Sequence, residues 1–409
     1  MKTHRFSAVL AGIILGSWLV AAAQEAAAPS PRQVEIRARV SSADRFLDDL
    51  TLADFSILED GRPQALRSLA LVRGGSVLRS EGIEKPAARL ERSYALLFQA
   101  VDWDPRLSEA VAYLFGSVLN PGDSMTLVTP MKPYHLQKDA LARKSKAELS
   151  KGMEDVLRKD ILRGGGEYRD LLSDLRRLIK AIAGSTSTSQ EDIDSDPTME
   201  AASGFGLEMQ IDRYRQALMK LEGIRLVDGA KLLSFAGSLK AVPGQKTVIL
   251  FYQREYRPEI SPATMNQLMV LYQDNPEIQG SLMDLFTFYK REETFDADRV
   301  KKAFADAGID FHFIFMEKKS QRIFGATMRE QSEDTFPGFV EIARATGGTT
   351  ASTSNPAAAF KRAADASGEY YVISYVPERS ALEGGFRTID VRVKRPSSLV
   401  TSPLGYYAR

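Results

Sequence analysis

The chain lacks cysteine altogether, so neither disulfide bonds nor thiolate metal ligands are available to it. Its 409 residues include only three histidines, His4, His135 and His312, which leaves no group of imidazoles at the spacing of a zinc site. The formal net charge of +1 gives no general attraction to nucleic acid or to an anionic membrane. A hydrophobic core must therefore hold the fold together, and a hydrophobic content of 44% is sufficient for one.

One long apolar run, Phe6–Val20, lies near the N-terminus, and no later run reaches a similar length. The basic residues Lys2 and Arg5 precede it, and three alanines, residues 21–23, follow it. This layout predicts a secretory signal peptide over residues 1–23, with a retained N-terminal anchor as the alternative. We therefore expect the mature chain to be periplasmic or secreted and not inserted into the membrane.

The segment 93–130 is the most informative part of the sequence. An apolar run, Tyr94–Phe98, is followed by a helical pattern and then by a second apolar run, Met125–Thr129. Buried parallel strands read as continuous apolar runs, and a crossover helix must join two of them, so the pattern predicts a βαβ unit. Ligands of such folds bind where strands end, which directs attention to the residues after Phe98 and Val128.

This pattern resembles the von Willebrand factor A (VWA) domain, whose first strand normally ends in Asp-x-Ser-x-Ser and contributes to a divalent-metal site. Here Gln99, Val101 and Trp103 occupy those positions. The strand Lys246–Phe251 is followed by residues 252–254, Tyr-Gln-Arg, where the family usually has Asp-Gly. Valine and tryptophan cannot supply the oxygen ligands that Mg²⁺ requires. The resemblance thus implies a degenerate metal-ion-dependent adhesion site, and we expect no metal and no cofactor.

The resemblance extends to both ends of the chain. The phrase Leu52–Gly61, which contains Asp-Phe and Glu-Asp-Gly, is similar to one that precedes the VWA part in bacterial VWFA-related proteins, and Leu404–Ala408 is similar to their ending. The alternating residues 386–393 predict a strand near the C-terminus. The C-terminal strands either extend the main sheet or pair with the N-terminal strands, and the sequence leaves both placements open.

The predicted fold class is α/β, with a Rossmann-like, VWA-type, doubly wound and mostly parallel sheet, a helical insert and a small N-terminal β module. The insert carries apolar residues at helical spacing. Part of it is rich in Ser, Thr and acidic residues, which predicts a disordered loop. The predicted segments are the signal peptide 1–23, the N-terminal β module with linkers 24–90, the VWA-like domain 91–368, its insert 133–223, the disordered loop 184–203, and the C-terminal β-strands 369–409.

Few residues suggest catalysis. His312 alternates with phenylalanines in a strand, which favours a core histidine, whereas His135 follows the second strand of the βαβ unit and is better placed for a site. Acidic residues near the predicted strand ends could together hold a cation such as Ca²⁺. These are Asp102, Asp104, Asp123 and Glu255. The competing interpretation gives Asp104 a helix-capping role and Asp123 a turn-stabilising role.

We therefore expect an exported, non-catalytic protein–protein interaction module, an adhesion or scaffold protein with a lost metal site. Its partner is a protein that the sequence does not identify, and nucleic acid is not expected. The side chains predicted to bind it are Asp102, Trp103, Asp104, Tyr134, Tyr252 and Tyr256. One alternative is a secreted metal-dependent binder or hydrolase that uses strand-end acids and His135. Another is a structural subunit of an envelope assembly.

Overall fold

The computed structural model describes residues 33–408 except 44, 84–89, 186–196, 226, 290–294 and 379–383. The chain from Gln33 onward forms one compact unit. The predicted signal peptide, residues 1–23, lies outside the described residues. In the described ranges, no helix combines the length and the apolar character that crossing a bilayer requires.

Eighteen strands are present in the described residues. In chain order they are β1 (Val34–Ser42), β2 (Arg45–Phe46), β3 (Phe55–Glu59), β4 (Arg62–Gln64), β5 (Leu66–Arg73), β6 (Ser76–Gly82), β7 (Arg92–Gln99), β8 (Ser124–Val128), β9 (Pro133–Leu136), β10 (Gln245–Gln253), β11 (Tyr256–Ile260), β12 (Ile309–Met316), β13 (Ala326–Glu330), β14 (Thr350–Thr353), β15 (Glu369–Tyr375), β16 (Phe386–Val393), β17 (Leu399–Thr401) and β18 (Gly405–Tyr407).

Eleven α-helices accompany them in the same described ranges. They are α1 (Arg106–Tyr113), α2 (Ala140–Arg143), α3 (Lys146–Gly164), α4 (Gly166–Gly184), α5 (Pro197–Arg225), α6 (Gly229–Lys240), α7 (Pro262–Leu271), α8 (Pro276–Phe288), α9 (Ala297–Asp306), α10 (Phe336–Ala345) and α11 (Pro356–Gly368). Short 3-10 turns lie at Leu52–Asp54 and Ser332–Asp334, and α1 continues into a π-helical turn, Leu114–Val118.

The central sheet has the strand order β14-β12-β10-β7-β8-β9. Its strands are parallel except β9, which returns antiparallel to β8. All nine residues of β10 are buried. Ile249 and Phe251 join the core with α1, α3 and α11, while Val248 and Leu250 join the core with α6, α9 and α10. Helices thus cover both faces of this sheet.

The predicted fold class is wrong. The chain is a mixed α/β protein, because the central sheet is itself mixed, the other sheets in the described residues are antiparallel, and one sheet curls into a half-barrel. The antiparallel sheets are β17-β1-β15-β5-β6 with β2 on β1, the pair β11-β13, and β18-β16-β3-β4. The sequence pattern identified crossovers between neighbouring strands. Pairings between opposite ends of the chain are long-range and leave no local pattern.

The C-terminal strands pair with the N-terminal strands and not with the central sheet. β15 lies between β1 and β5, and β16 pairs with β3, all antiparallel. Tyr371 and Tyr375 are fully buried in the core that these strands share. Inside it, Glu59 accepts hydrogen bonds from Arg387 (2.8 Å) and from Tyr375 (2.7 Å). Both ends of the chain are therefore needed to complete this layer.

The segment predicted as a helical insert, residues 133–223, begins with the strand β9, so its helices start only at Ala140. α4 and α5 pack together with α7 and α8 around a core of their own. The predicted disordered loop 184–203 is wrong for residues 197–203, which are helical. Proline at the first helical position favours a helix there, as do Met, Glu and two Ala residues at positions 199–202. Residues 186–196 lie outside the described residues.

A buried ion pair closes the amino-terminal end of the βαβ unit. Arg92 at the start of β7 and Asp123 just before β8 are 4% and 2% exposed. The Arg92 Nε donates to Asp123 Oδ1 at 3.1 Å, and its Nη2 donates to the Val118 carbonyl at 3.0 Å. Asp123 also accepts from the Asn120 N–H at 2.8 Å, so its predicted turn-stabilising role is confirmed.

We expect Asp123→Asn to lower the free energy of unfolding by about 3–5 kcal/mol, because Arg92 then stays buried without a counter-charge. Chemical denaturation provides the measurement. The control is Asp139→Asn, which breaks an exposed pair with Arg143 and should cost under about 0.5 kcal/mol. Equal effects of the two variants would contradict the assignment of Asp123.

Candidate functional site

The strand-end edge comprises the residues that follow β7, β10 and β12, which end side by side in the central sheet. Gln253, 5% exposed at the end of β10, holds the loop after β7. Its Oε1 accepts from the N–H groups of Val101 (3.1 Å) and Asp102 (2.9 Å), and its Nε2 donates to the Asp102 carbonyl (3.2 Å). One side-chain amide therefore fixes the backbone of this loop in place.

The three positions predicted to belong to a degenerate adhesion site differ in their surroundings. Val101 is buried against the helices α4 and α5, Trp103 packs partly buried against the core beneath α1 and α3, and Gln99 is half-buried. Gln99 and Val101 border a small cavity of about 80 Å³, to which Glu255 also contributes. Within the described ranges, no three His, Cys, Asp or Glu side chains come together as a possible metal-binding group.

The acidic residues considered for a cation site are not brought together. Asp104 Oδ1 accepts from the Arg106 N–H at 2.9 Å at the start of α1, in keeping with a helix-capping role. Asp123 lies at the opposite end of the sheet, bound to Arg92. Glu255 is buried directly after β10, 1% exposed. Asp102 is half-exposed at the strand-end edge.

His135 is also not at this edge. It lies on the edge strand β9, which runs back along β8, and it pairs with Thr126 near the middle of that strand. Its Nδ1 is 3.0 Å from the Thr126 hydroxyl, and the ring is exposed. The prediction that His135 sits near the carboxyl end of the second strand is wrong, because the chain turns back before reaching it.

The aromatic candidates divide into buried and accessible ones. Tyr252 is 3% exposed and packs among phenylalanines of the sheet and α10, so its prediction as a partner-binding residue is wrong. Tyr252 belongs to β10, and its side chain lies on the face of the sheet that α6, α9 and α10 cover. Tyr134 is half-buried and donates to Asp160 at 2.8 Å. Trp103 and Tyr256 are half-buried at the strand-end edge.

A pocket of about 180 Å³ at this edge has a strongly basic lining that the sequence analysis missed. We call it the basic pocket. It lies between α4, the loop after β7, the loop after β12 and the start of β11. Its charged lining residues are Asp102, Arg169, Arg176, Lys318 and Lys319, and Tyr168, Leu172, Tyr256 and Met328 are among the others.

Asp102 is the single acidic residue of that lining, and two of the cations already contact it. Its Oδ2 forms an ion pair with the Lys318 ammonium, and its Oδ1 lies 3.8 Å from Arg169 Nη1. Arg169 also donates to the carbonyl oxygens of Val101 and Leu162, which fixes its side chain between the loop after β7 and the end of α3.

Arg176 and Lys319 are the two lining cations for which no ion pair is found among the described residues. The Nε of Arg176 is buried and has no hydrogen-bond partner there either. A buried donor without a partner costs free energy.

Two features of the sequence indicate the lining residues of the basic pocket. Lys318 and Lys319 follow β12 almost directly, so they belong at the same edge as the residues after β7. Arg169, Leu172 and Arg176 are spaced three and four residues apart on α4, which places them on one helix face. Only the contact between that face and the strand ends could not be read from the sequence.

No protein-family model, curated protein or solved structure matches this chain.

His312 is a core histidine, 2% exposed in β12. Its Nδ1 accepts from the Thr349 N–H at 3.1 Å, which assigns the ring proton to Nε2, and Nε2 lies 2.7 Å from the Ser367 hydroxyl. Burial, assisted by the charge of Arg39, lowers the pKa of His312 to about 4. The expectation of a core histidine is confirmed.

This pKa predicts acid sensitivity. The unfolded chain protonates His312 near its ordinary pKa of 6.5 and the folded chain only near about 4, so stability falls as the pH drops between these values. The loss should be about 3 kcal/mol. Denaturation from pH 7 to pH 4 of the wild type and of His312→Gln, which does not titrate, should show the difference between them shrinking by that amount. Parallel pH curves would contradict the assignment.

Proposed function

We propose that this chain is an exported, non-catalytic protein–protein interaction module, an adhesion or scaffold protein that binds its partner through the strand-end edge. The observation that carries the proposal is the basic pocket, a concave, charged site lined by the half-buried Tyr256 and the buried Tyr168. The resemblance of its sequence phrases to VWFA-related proteins supports a binding role, as does the replacement of metal ligands by Gln99, Val101 and Trp103.

The edge is rigid before any partner arrives. Gln253 holds the backbone of residues 101 and 102, and Arg169 holds the carbonyl oxygens of Val101 and Leu162. The Tyr168 hydroxyl donates to the Tyr256 carbonyl at 3.2 Å, which ties α4 to the start of β11. A surface whose groups are already ordered loses less entropy on binding, which favours recognition.

Apolar side chains next to the edge fit a protein partner. Met131 and Leu162 are 53% and 44% exposed, at the end of the loop after β8 and on α3 respectively. These two side chains, like Trp103 and Tyr256, gain from burial in an interface. Apolar and aromatic groups of this kind suit a polypeptide partner.

The alternative function, a metal-dependent binder or hydrolase, has less support. It requires His135 to act together with strand-end acids, whereas His135 lies on the edge strand β9 and Asp104 is engaged at the start of α1. Removal of divalent cations by a chelator should therefore leave binding unchanged.

We expect Tyr256→Ala to reduce partner capture at least tenfold, because hot-spot aromatics contribute about 2 kcal/mol or more to binding. The measurement is affinity purification with the tagged full chain from its native envelope fraction, quantified by mass spectrometry, and Trp103→Ala should behave similarly. Tyr113→Ala is the matched control, since Tyr113 is half-buried on α1 and donates to Asp365. Undiminished capture by the Tyr256 and Trp103 variants would refute the strand-end edge as the binding surface.

A further inference from the structure

Four cationic side chains converge on the basic pocket, and their number exceeds the acidic charge available to them. Arg169, Arg176, Lys318 and Lys319 line it, against the single carboxylate of Asp102. A surface cation often has an acidic neighbour. Arg177, which follows Arg176 on α4, forms an ion pair with Asp174. An excess of positive charge in a concavity raises the local concentration of anions.

The pocket has the size of a side chain. Its volume of about 180 Å³ is below the ~300–1,000 Å³ typical of sites for cofactors and drug-sized ligands. A carboxylate on a short aliphatic stem fits this volume, with Tyr168, Tyr256 and Leu172 available to contact the stem.

The donors of the pocket suit a carboxylate. Arg176 presents a planar guanidinium whose Nε is buried without a partner among the described residues. Arginine binds carboxylates through two parallel hydrogen bonds, and such charge-assisted bonds are about twice as strong as neutral ones. Arg176 lies on α4, so the helix fixes the point from which its side chain extends along the pocket lining.

Resting on the function proposed above, we propose that the basic pocket binds a carboxylate side chain from an acidic segment of the protein partner, with Arg176 as the main anchor. Asp102 is an internal competitor, since it already neutralises Lys318 and lies close to Arg169. Its removal frees an ammonium and removes a repulsive charge, so the pocket binds an incoming carboxylate more tightly without it.

The test is isothermal titration calorimetry of the full chain with acetylated tri-glutamate amide at low ionic strength. The wild type should bind this peptide and bind the tri-glutamine peptide at least tenfold more weakly. Arg176→Gln should weaken binding at least tenfold. Arg177→Gln removes the same charge from the next position of the same helix, outside the pocket, and should change the affinity less than twofold.

Asp102→Asn gives an independent result that loss of folding cannot imitate. The variant keeps the backbone bonds to Gln253 and should bind tri-glutamate several-fold more tightly. Inorganic phosphate is titrated in parallel to separate a free oxyanion from an acidic peptide. Circular dichroism of each variant monitors the fold.

Three results would overturn the proposal: equal losses in Arg176→Gln and Arg177→Gln, equal binding of the two peptides, or tighter binding of phosphate than of tri-glutamate. Weaker binding by Asp102→Asn would also overturn it. Partner capture separates this proposal from the function on which it rests. If Arg176→Gln captures the partner normally while Tyr256→Ala does not, the interaction surface stands and the acidic anchor is wrong.

Discussion

The burial of β10 on both faces is the constraint on which the rest of this structure depends. All nine of its residues are buried, so polar groups at its ends have to find partners inside the protein. At one end Gln245 donates to the Ser367 carbonyl and Lys246 to the Ala307 carbonyl. At the other end Gln253 binds the loop after β7. The hydrogen bonds that satisfy the buried Gln253 amide therefore also hold the loop that forms part of the strand-end edge.

This constraint also orders the strand-end edge, the surface proposed to bind a partner. Gln253 and Arg169 hold the loop after β7 by hydrogen bonds to backbone atoms. Positive charge is present as well, but it comes from lysine and arginine side chains on α4 and after β12. Fixed cations of this kind suit the acidic ligand proposed above.

Part of the site was predictable. The alternation of apolar strands and helices indicated the βαβ unit and hence the strand ends, and this placed Asp102, Trp103 and Tyr256 correctly at the edge. Tyr252 was misplaced because β10 continues one residue beyond it and its side chain faces α10. His135 was misplaced because β9 turns back along β8. Both errors arise from strand ends and turns that local hydrophobicity does not define.

The sequence by itself determined the local elements: buried apolar strands, amphipathic helices, the turn at Asp123, the capping of α1 by Asp104 and the core position of His312. Each follows from periodicity or from a hydrogen bond to a near neighbour in the chain. Only the tertiary structure decided that β15 and β16 pair with the N-terminal strands and that α4 lies across the strand ends. Those contacts join residues far apart in sequence, and the packing of surfaces selects them, so no local pattern encodes the basic pocket.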